Sequence, residues 1–279
     1  MMNYQLVGDS SVDLTDELEK SLDIQLVAFT IQVEGEDFVD KDRSQIQAMR
    51  EAMNASKKAI KTSCPSPYDY QEAFNKEADG IFVITISDKL SGSYNSATLA
   101  AKDFQEENPQ TRIHIFNSQS ASAGETNLAY HIKSLMDQGL AFDEIVEKGE
   151  KFIREMETFF ILESLNNLIK NGRIRKSAGL IAKTLNIKPI MQGVKGEIEL
   201  FELNRGFKKS LDKLAKAIGR IVEKTEGRTL YISQSNAEEK AEFFKKKILD
   251  LYRFDDVVVV PTGGLSSAYA DDGGIVISF

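Results

Sequence analysis

The chain has 279 residues, and its 43 acidic against 35 basic side chains give a formal charge of -8; it lacks the broad positive footprint of a nucleic-acid binder. One cysteine, Cys64, excludes an internal disulfide, and two histidines, His114 and His131, give no zinc-ligand spacing, so a reducing, metal-free setting is expected. No apolar stretch approaches the ~20 residues of a membrane span and the N-terminus lacks a signal-peptide layout, which predicts a cytoplasmic protein with no integral membrane segment.

In chain order, a short apolar run from Gln5 to Gly8 reads as a strand and leads into Asp9-Ser10-Ser11-Val12-Asp13-Leu14. Three-to-four spacing of apolar residues predicts helices over Ser44 to Ala55 and Pro67 to Lys76, with Thr62-Ser63-Cys64-Pro65-Ser66-Pro67 just before the second. Ile81 to Ser87 is a β-type run; Leu90-Ser91-Gly92-Ser93-Tyr94-Asn95-Ser96-Ala97 follows and opens a helix over Ser93 to Glu107. A strand over Arg112 to Phe116 and a helix over Ala123 to Asp137 continue the alternation, so βαβ units with a parallel sheet are the natural assembly. Beyond Phe159 the strands fall at Lys188 to Gln192, Glu197 to Leu203, Thr229 to Ser233, Val257 to Val260 and Ile275 to Phe279. Helices are expected at Lys176 to Leu185, Lys208 to Thr225 and Ala237 to Tyr252, giving a second α/β domain with a mixed sheet. The division falls near residue 160, with an N-terminal domain over 1–160 and a C-terminal domain over 161–279.

The three hydroxyl-rich loops are built to hold an anion. At a strand-to-helix crossing the helix start offers unpaired N–H groups and the positive end of its dipole, which clustered serines and threonines complete. None carries the Gly-Lys-Ser/Thr of a P-loop, so neutral donors facing a single carboxylate fit better than several phosphates. Plainer roles compete: Ser66 before Pro67 has the form of an N-cap with proline at the first helical position, and Asp9 and Asp13 can cap a helix or order a loop. Cys64 precedes a helical start, where a thiol pKa can fall, yet its motif holds no histidine to serve as base. Neither histidine invites a serine-histidine triad. Asn171-Gly172-Arg173-Ile174-Arg175-Lys176 places three positive charges at a helix start, against the dipole, and that mismatch points to an anion partner.

Taken in order, DSSVDL, TSCPSP, LSGSYNSA, NNLIKNGRIRKSAGLIAKTLNIKPIM (Asn166 to Met191), GEIELFELNRGFKKSL (Gly196 to Leu211) and a glycine-rich C-terminus resemble the DegV family over essentially the whole chain. That family contains the fatty-acid-binding subunits of bacterial fatty acid kinase. The resemblance implies a two-domain α/β fold: an N-terminal three-layer α/β/α unit with a parallel sheet, a C-terminal α/β unit with a mixed sheet, and a long-chain fatty acid between them. It implies no catalytic residue and no cofactor beyond that bound fatty acid.

On the family pattern Thr62, Ser63 and Ser93 match the carboxylate-binding positions, with Ser91 and Gly92 as neighbours. Arg173 falls near the ligand head or the phosphorylation face, and Arg205 at a basic position used around kinase engagement. Tyr269 stands where kinase-partner members have a histidine, Asp271-Asp272-Gly273 lies over their glycine-proline-glycine-like turn, and Asn117-Ser118 replaces aspartate-serine. Tyrosine donates a hydrogen bond but does not become cationic near neutral pH, so lipid binding survives these changes more easily than service to a kinase. The expected function is presentation of a fatty acid to a separate fatty acid kinase, a step of phospholipid metabolism. The alternatives are a hydrolase or transferase acting on a small phosphorylated or carboxylated metabolite at the same loops, and a lipid-binding regulator without a kinase partner.

Overall fold

Every residue of Gly80–Thr85 is buried, as a strand covered on both faces requires. In the computed structural model, which describes residues 2–41, 43–56, 58–174 and 186–279, the first half supplies seven strands. They are β1 (Tyr4–Asp9), β2 (Ile24–Val27), β3 (Thr30–Val33), β4 (Glu36–Val39), β5 (Lys61–Ser63), β6 (Gly80–Thr85) and β7 (Arg112–Asn117). The sheet β2-β1-β6-β7 is parallel throughout.

Alternation along its strands sends Leu6, Phe82, Ile84 and Phe116 to one face and Val7, Ile81 and Val83 to the other. The first group packs on Leu128 and Ile132 of the helix Ala123–Asp137 and Ile145 of the helix Phe142–Glu155. The second packs on Tyr70 of Pro67–Ala73 and on Ala97, Ala100 and Phe104 of Ser93–Glu107. The result is the expected three-layer α/β/α unit. The helix Phe142–Glu155, absent from the expectations, approaches the sheet through Gly149, where an added Cβ would lie 2.6 Å from Phe116 and Ile132.

A second, antiparallel sheet, β4-β3-β5, was also not expected. Its strands are three or four residues long, too short for alternation to register. Glu34 and Gly35, both at positive φ, make the two-residue turn between β3 and β4 that matches strand twist. β5 carries Thr62 and Ser63, so TSCPSP begins on an edge strand. Ser66 then caps Pro67–Ala73 by the predicted route, accepting from the Asp69 N–H at 3.3 Å while Asp69 accepts from the Ser66 N–H at 2.8 Å.

The remaining strands are β8 (Thr158–Ile161), β9 (Ile190–Val194), β10 (Glu197–Glu202), β11 (Thr229–Gln234), β12 (Asp256–Pro261) and β13 (Ile275–Ser278). They form one mixed sheet in the order β10-β9-β8-β13-β11-β12. Only β11 and β12 pair in parallel, and the last strand of the chain lies between β8 and β11. One face, including Phe159, Ile161, Ile232 and Ile277, is covered by Leu214 and Ile218 of Phe207–Ile221 and Phe244 and Ile248 of Glu238–Leu251. The other face, with Phe160, Met191, Tyr231 and Val276, meets Ala123 and Tyr130 of the helix Ala123–Asp137, and the Tyr130 and Tyr231 rings stack at 5.3 Å. Since β8 belongs to this sheet, a division at residue 160 falls within that strand. The helix expected over Lys176 to Leu185 lies outside the described residues.

Candidate functional site

Between the two halves of the chain lies a cavity of about 440 Å³. Its apolar wall comes from both halves: Phe29, Ile86 and Leu265 on one side, Phe160, Leu162 and Leu168 on the other. Thr62, Ser63, Ser91, Gly92, Arg173 and Tyr269 all line it, so most of the site anticipated from sequence converges although its parts lie far apart in the chain.

The Thr62 and Tyr269 hydroxyls hydrogen-bond each other at 2.9 Å. Either can donate, and whichever does leaves the other's proton for a ligand. Ser91 accepts from the Ser93 N–H at 3.2 Å, which ties it to the start of Ser93–Glu107 while its own O–H remains available. Ser63 and Gly92 are exposed and border the opening; a Cβ on Gly92 would come within 3.3 Å of the Cys64 sulfur. Arg173 donates from Nε to the Leu90 carbonyl at 3.0 Å and from a terminal nitrogen to the Asn171 carbonyl. These partners are neutral, so the guanidinium charge is not cancelled through them.

Ser93 and Arg205 are placed elsewhere. Ser93 is fully buried and off the cavity wall: its hydroxyl donates to Asp9 at 2.6 Å and shares a 2.7 Å hydrogen bond with the Tyr70 hydroxyl. The carboxylate it serves is internal. Arg205 is exposed, next to the helix Phe207–Ile221, and does not line the cavity.

Asp9 and Asp13 order the architecture around the site. Asp9 accepts from the Ile86 N–H at 2.9 Å and the Ser11 N–H at 3.1 Å as well as from Ser93, which joins the loops after β1 and β6. Asp13 accepts from the Gly263 N–H at 2.7 Å and from the Ser122 hydroxyl. Burial pushes both carboxyls above their ordinary range, against the pull of these donors. Glu125, fully buried beside Asp9 and Ser11, is pushed well above its ordinary value, first by burial and then by the Asp9 charge.

Sequence reasoning missed Asp40. Its two oxygens accept from the Gly264 N–H at 2.7 Å and the Leu265 N–H at 2.8 Å, capping the helix Gly264–Ala270 that carries Tyr269. Glycine is required there, since a Cβ at Gly264 would stand 2.5 Å from an Asp40 oxygen. Asp13 and Asp40, both from the first half, thus hold the N-terminus of a short helix from the second half and set the height of Tyr269 over Thr62. No spacing in the sequence signals this, because the partners are separated by 224 and 250 positions. Also missed were Ser266, on the cavity wall beside Asp13, and the Ser120 and Thr158 hydroxyls, bonded to each other at 2.7 Å on that wall.

These features define a class: a paired α/β protein that encloses an apolar cavity whose wall, among the described residues, carries a cluster of neutral donors with Arg173 and Glu197. The DegV family model matches residues 3–279, and the chain belongs to that family. A DegV domain-containing protein of Streptococcus gordonii is 36% identical over 281 residues, covering 100% of this chain and 99% of the relative. Among solved structures, a DegV family protein from Ruminococcus gnavus, refined with vaccenic acid, has a TM-score of 0.93 and 37% identity, covering 100% of both chains. The Streptococcus pneumoniae fatty acid kinase (Fak) B3 protein loaded with linoleic acid has a TM-score of 0.91 and 33% identity, covering 100% of this chain and 99% of its own.

Proposed function

We propose that this protein binds a long-chain fatty acid in the cavity between its two halves and acts as a non-enzymatic carrier. The observation that carries this reading is the composition of the cavity wall, in which apolar side chains from both halves surround a small group of neutral donors. Burial of an acyl chain contributes ~0.8 kcal/mol per methylene, so a tail of ~14 methylenes supplies ~11 kcal/mol before ordering costs. A hydrogen bond to a charged group contributes ~1.5–3 kcal/mol. The tail therefore dominates affinity and the donors set orientation. Thr62, Ser63, Ser91 and Tyr269 are the proposed carboxylate contacts, with the backbone at Gly92 and the Arg173 charge beside them; Ser93 supports them from behind through Asp9. The fatty acids bound by the Ruminococcus and Streptococcus relatives support the same assignment.

The finer reading is that the bound carboxylate is presented to a separate kinase. A carboxylate oxygen would attack the γ-phosphate of ATP held by that partner, forming the acyl-phosphate bond as the β–γ bridge breaks and ADP leaves. The exposed Arg205 is the proposed partner contact. A regulator that retains lipid without a kinase is favoured by Tyr269, since a phenol bonded to Thr62 does not supply the positive charge of an imidazolium.

Denaturing extraction of the purified protein followed by mass spectrometry, against a blank, tests the binding reading. A stoichiometric fatty acid is expected. An empty protein that also refuses added fatty acids would overturn it and favour the small-metabolite enzyme.

A further inference from the structure

One row of side chains across the mixed sheet contains a gap. Register aligns Leu200, Met191, Phe160 and Val276 across β10, β9, β8 and β13, a row filled by large side chains. Two residues along, Ile198 opposes Gly193, and the atoms nearest a Cβ built on Gly193 are Thr158 Cβ at 3.7 Å, Thr158 O at 3.9 Å and Gln119 O at 4.0 Å. This second row reads Ile198, Gly193, Thr158, and all three line the cavity. Gly193 is therefore a notch one side chain wide, on the face that Met191 shares by alternation.

The backbone does not demand glycine here. Gly193 is not among the positive-φ residues, and the contacts of the added Cβ are ordinary van der Waals distances, unlike those at Gly149 or Gly264. What glycine provides is space. The notch is also removed from the Thr62–Tyr269 pair. Tyr269 is followed by Ala270, which packs with Leu162 just beyond the end of β8: a Cβ on Gly274 would meet both within 2.9 Å. Thr158, beside the notch, begins β8. Four residues of strand separate them, roughly 13 Å. The Thr158 hydroxyl is held by Ser120 at 2.7 Å, which fixes the wall at that end, and the adjoining Gln119 is exposed.

We propose that Gly193, bracketed by Ile198 and Thr158, sets the length of the acyl chain the cavity accepts by leaving room for the end of the tail. This rests on the fatty-acid reading above. A side chain at position 193 would occupy the volume of the last few methylenes and leave Thr62 and Tyr269 untouched. Trimming Ile198 would widen the same notch.

Native mass spectrometry of the full chain with an even-carbon ladder of saturated fatty acids tests this. For Gly193→Leu, the longest acid retained by the parent should bind roughly tenfold or more weakly, the loss of about two methylenes of burial, with the shorter acids unchanged. Ile198→Ala should extend retention toward longer acids. An unchanged length profile in Gly193→Leu, or a loss equal at every length, would overturn the proposal. If melting shows that Gly193→Leu does not fold, Ile198→Ala and Gly193→Ala decide it: no displacement toward longer chains in the first, together with none toward shorter in the second, overturns it. A parent that takes up no acid of any length overturns instead the binding reading on which it rests.

Discussion

Thr62 and Tyr269, 207 positions apart, share a hydrogen bond of 2.9 Å on the cavity wall, joining the antiparallel sheet β4-β3-β5 to the helix Gly264–Ala270. The bond places two hydroxyls side by side while committing only one of their protons. Replacing Tyr269 by Phe removes one donor and keeps the ring. Fatty-acid affinity should fall roughly tenfold or more, the equivalent of one hydrogen bond to a charged group at ~1.5–3 kcal/mol, with the melting temperature nearly unchanged. Equilibrium dialysis with a labelled fatty acid checks this; an unaltered affinity would remove Tyr269 from the carboxylate contacts.

Ser91 and Ser93, two residues apart, should separate by readout. Ser93→Ala takes a donor from the buried Asp9 and a partner from Tyr70, costing about 1–3 kcal/mol of stability and lowering the melting temperature by about 2–6 °C. Ser91→Ala should weaken fatty-acid retention with little change in melting. Weakened binding by a Ser93→Ala protein that melts like the parent would return Ser93 to the carboxylate contacts.

Arg50 is buried on the helix Ser44–Ala55, where it pairs with Asp272 and donates to Ser267 at 2.7 Å and Thr262 at 3.3 Å. Arg50→Ala strands these acceptors, and because Asp272 is half exposed the cost should be about 2–3 kcal/mol, below that of a fully buried pair. Urea unfolding should show a lower midpoint. Since the pair ties the Tyr269 helix to the first half, lipid dissociation should also quicken; an unchanged midpoint would deny the pair a structural role.

Asp271 accepts from the Asn167 side chain at 3.0 Å, and its pKa is raised to about 6, by burial first and the Asp272 charge second. A folded pKa above the unfolded value of 3.8 means the folded state holds the proton longer. Stability from this group is therefore full below pH 3.8 and is lost as pH rises toward about 6. Asp271→Asn keeps an acceptor for Asn167 and removes the charge. Its melting temperature should exceed the parent's at pH 7.5, with the difference vanishing near pH 4. A difference that does not vary with pH would show that the Asp271 charge is not the cause.

Arg205→Ala, at an exposed position off the cavity, should leave fatty-acid binding unchanged and slow acyl-phosphate formation when a cognate kinase and ATP are supplied. Loss of binding would contradict its placement outside the site.

Much of the protein was determined by local pattern. Helices Ser44–Ala55, Ser93–Glu107 and Ala123–Asp137 follow from apolar spacing to the residue, and the continuous apolar run of β6 declares a strand buried on both faces. The hydroxyl loops announce an anion site because serine and threonine next to helix starts carry donors whatever the wider fold. What only the tertiary structure decided depends on pairings between distant residues. The β4-β3-β5 sheet is too short to show a period, and its strands exist because they pair. Asp13 and Asp40 read as ordinary loop acids until the helix Gly264–Ala270 comes down on them. Ser91 and Ser93 have the same chemistry and nearly the same position in sequence, yet the turn into the helix Ser93–Glu107 sends one toward the cavity and the other toward Asp9. Gly193 has no local signature, because the space it leaves is defined by side chains on two neighbouring strands. Side-chain chemistry is written residue by residue; the direction each group faces is settled by packing across hundreds of positions.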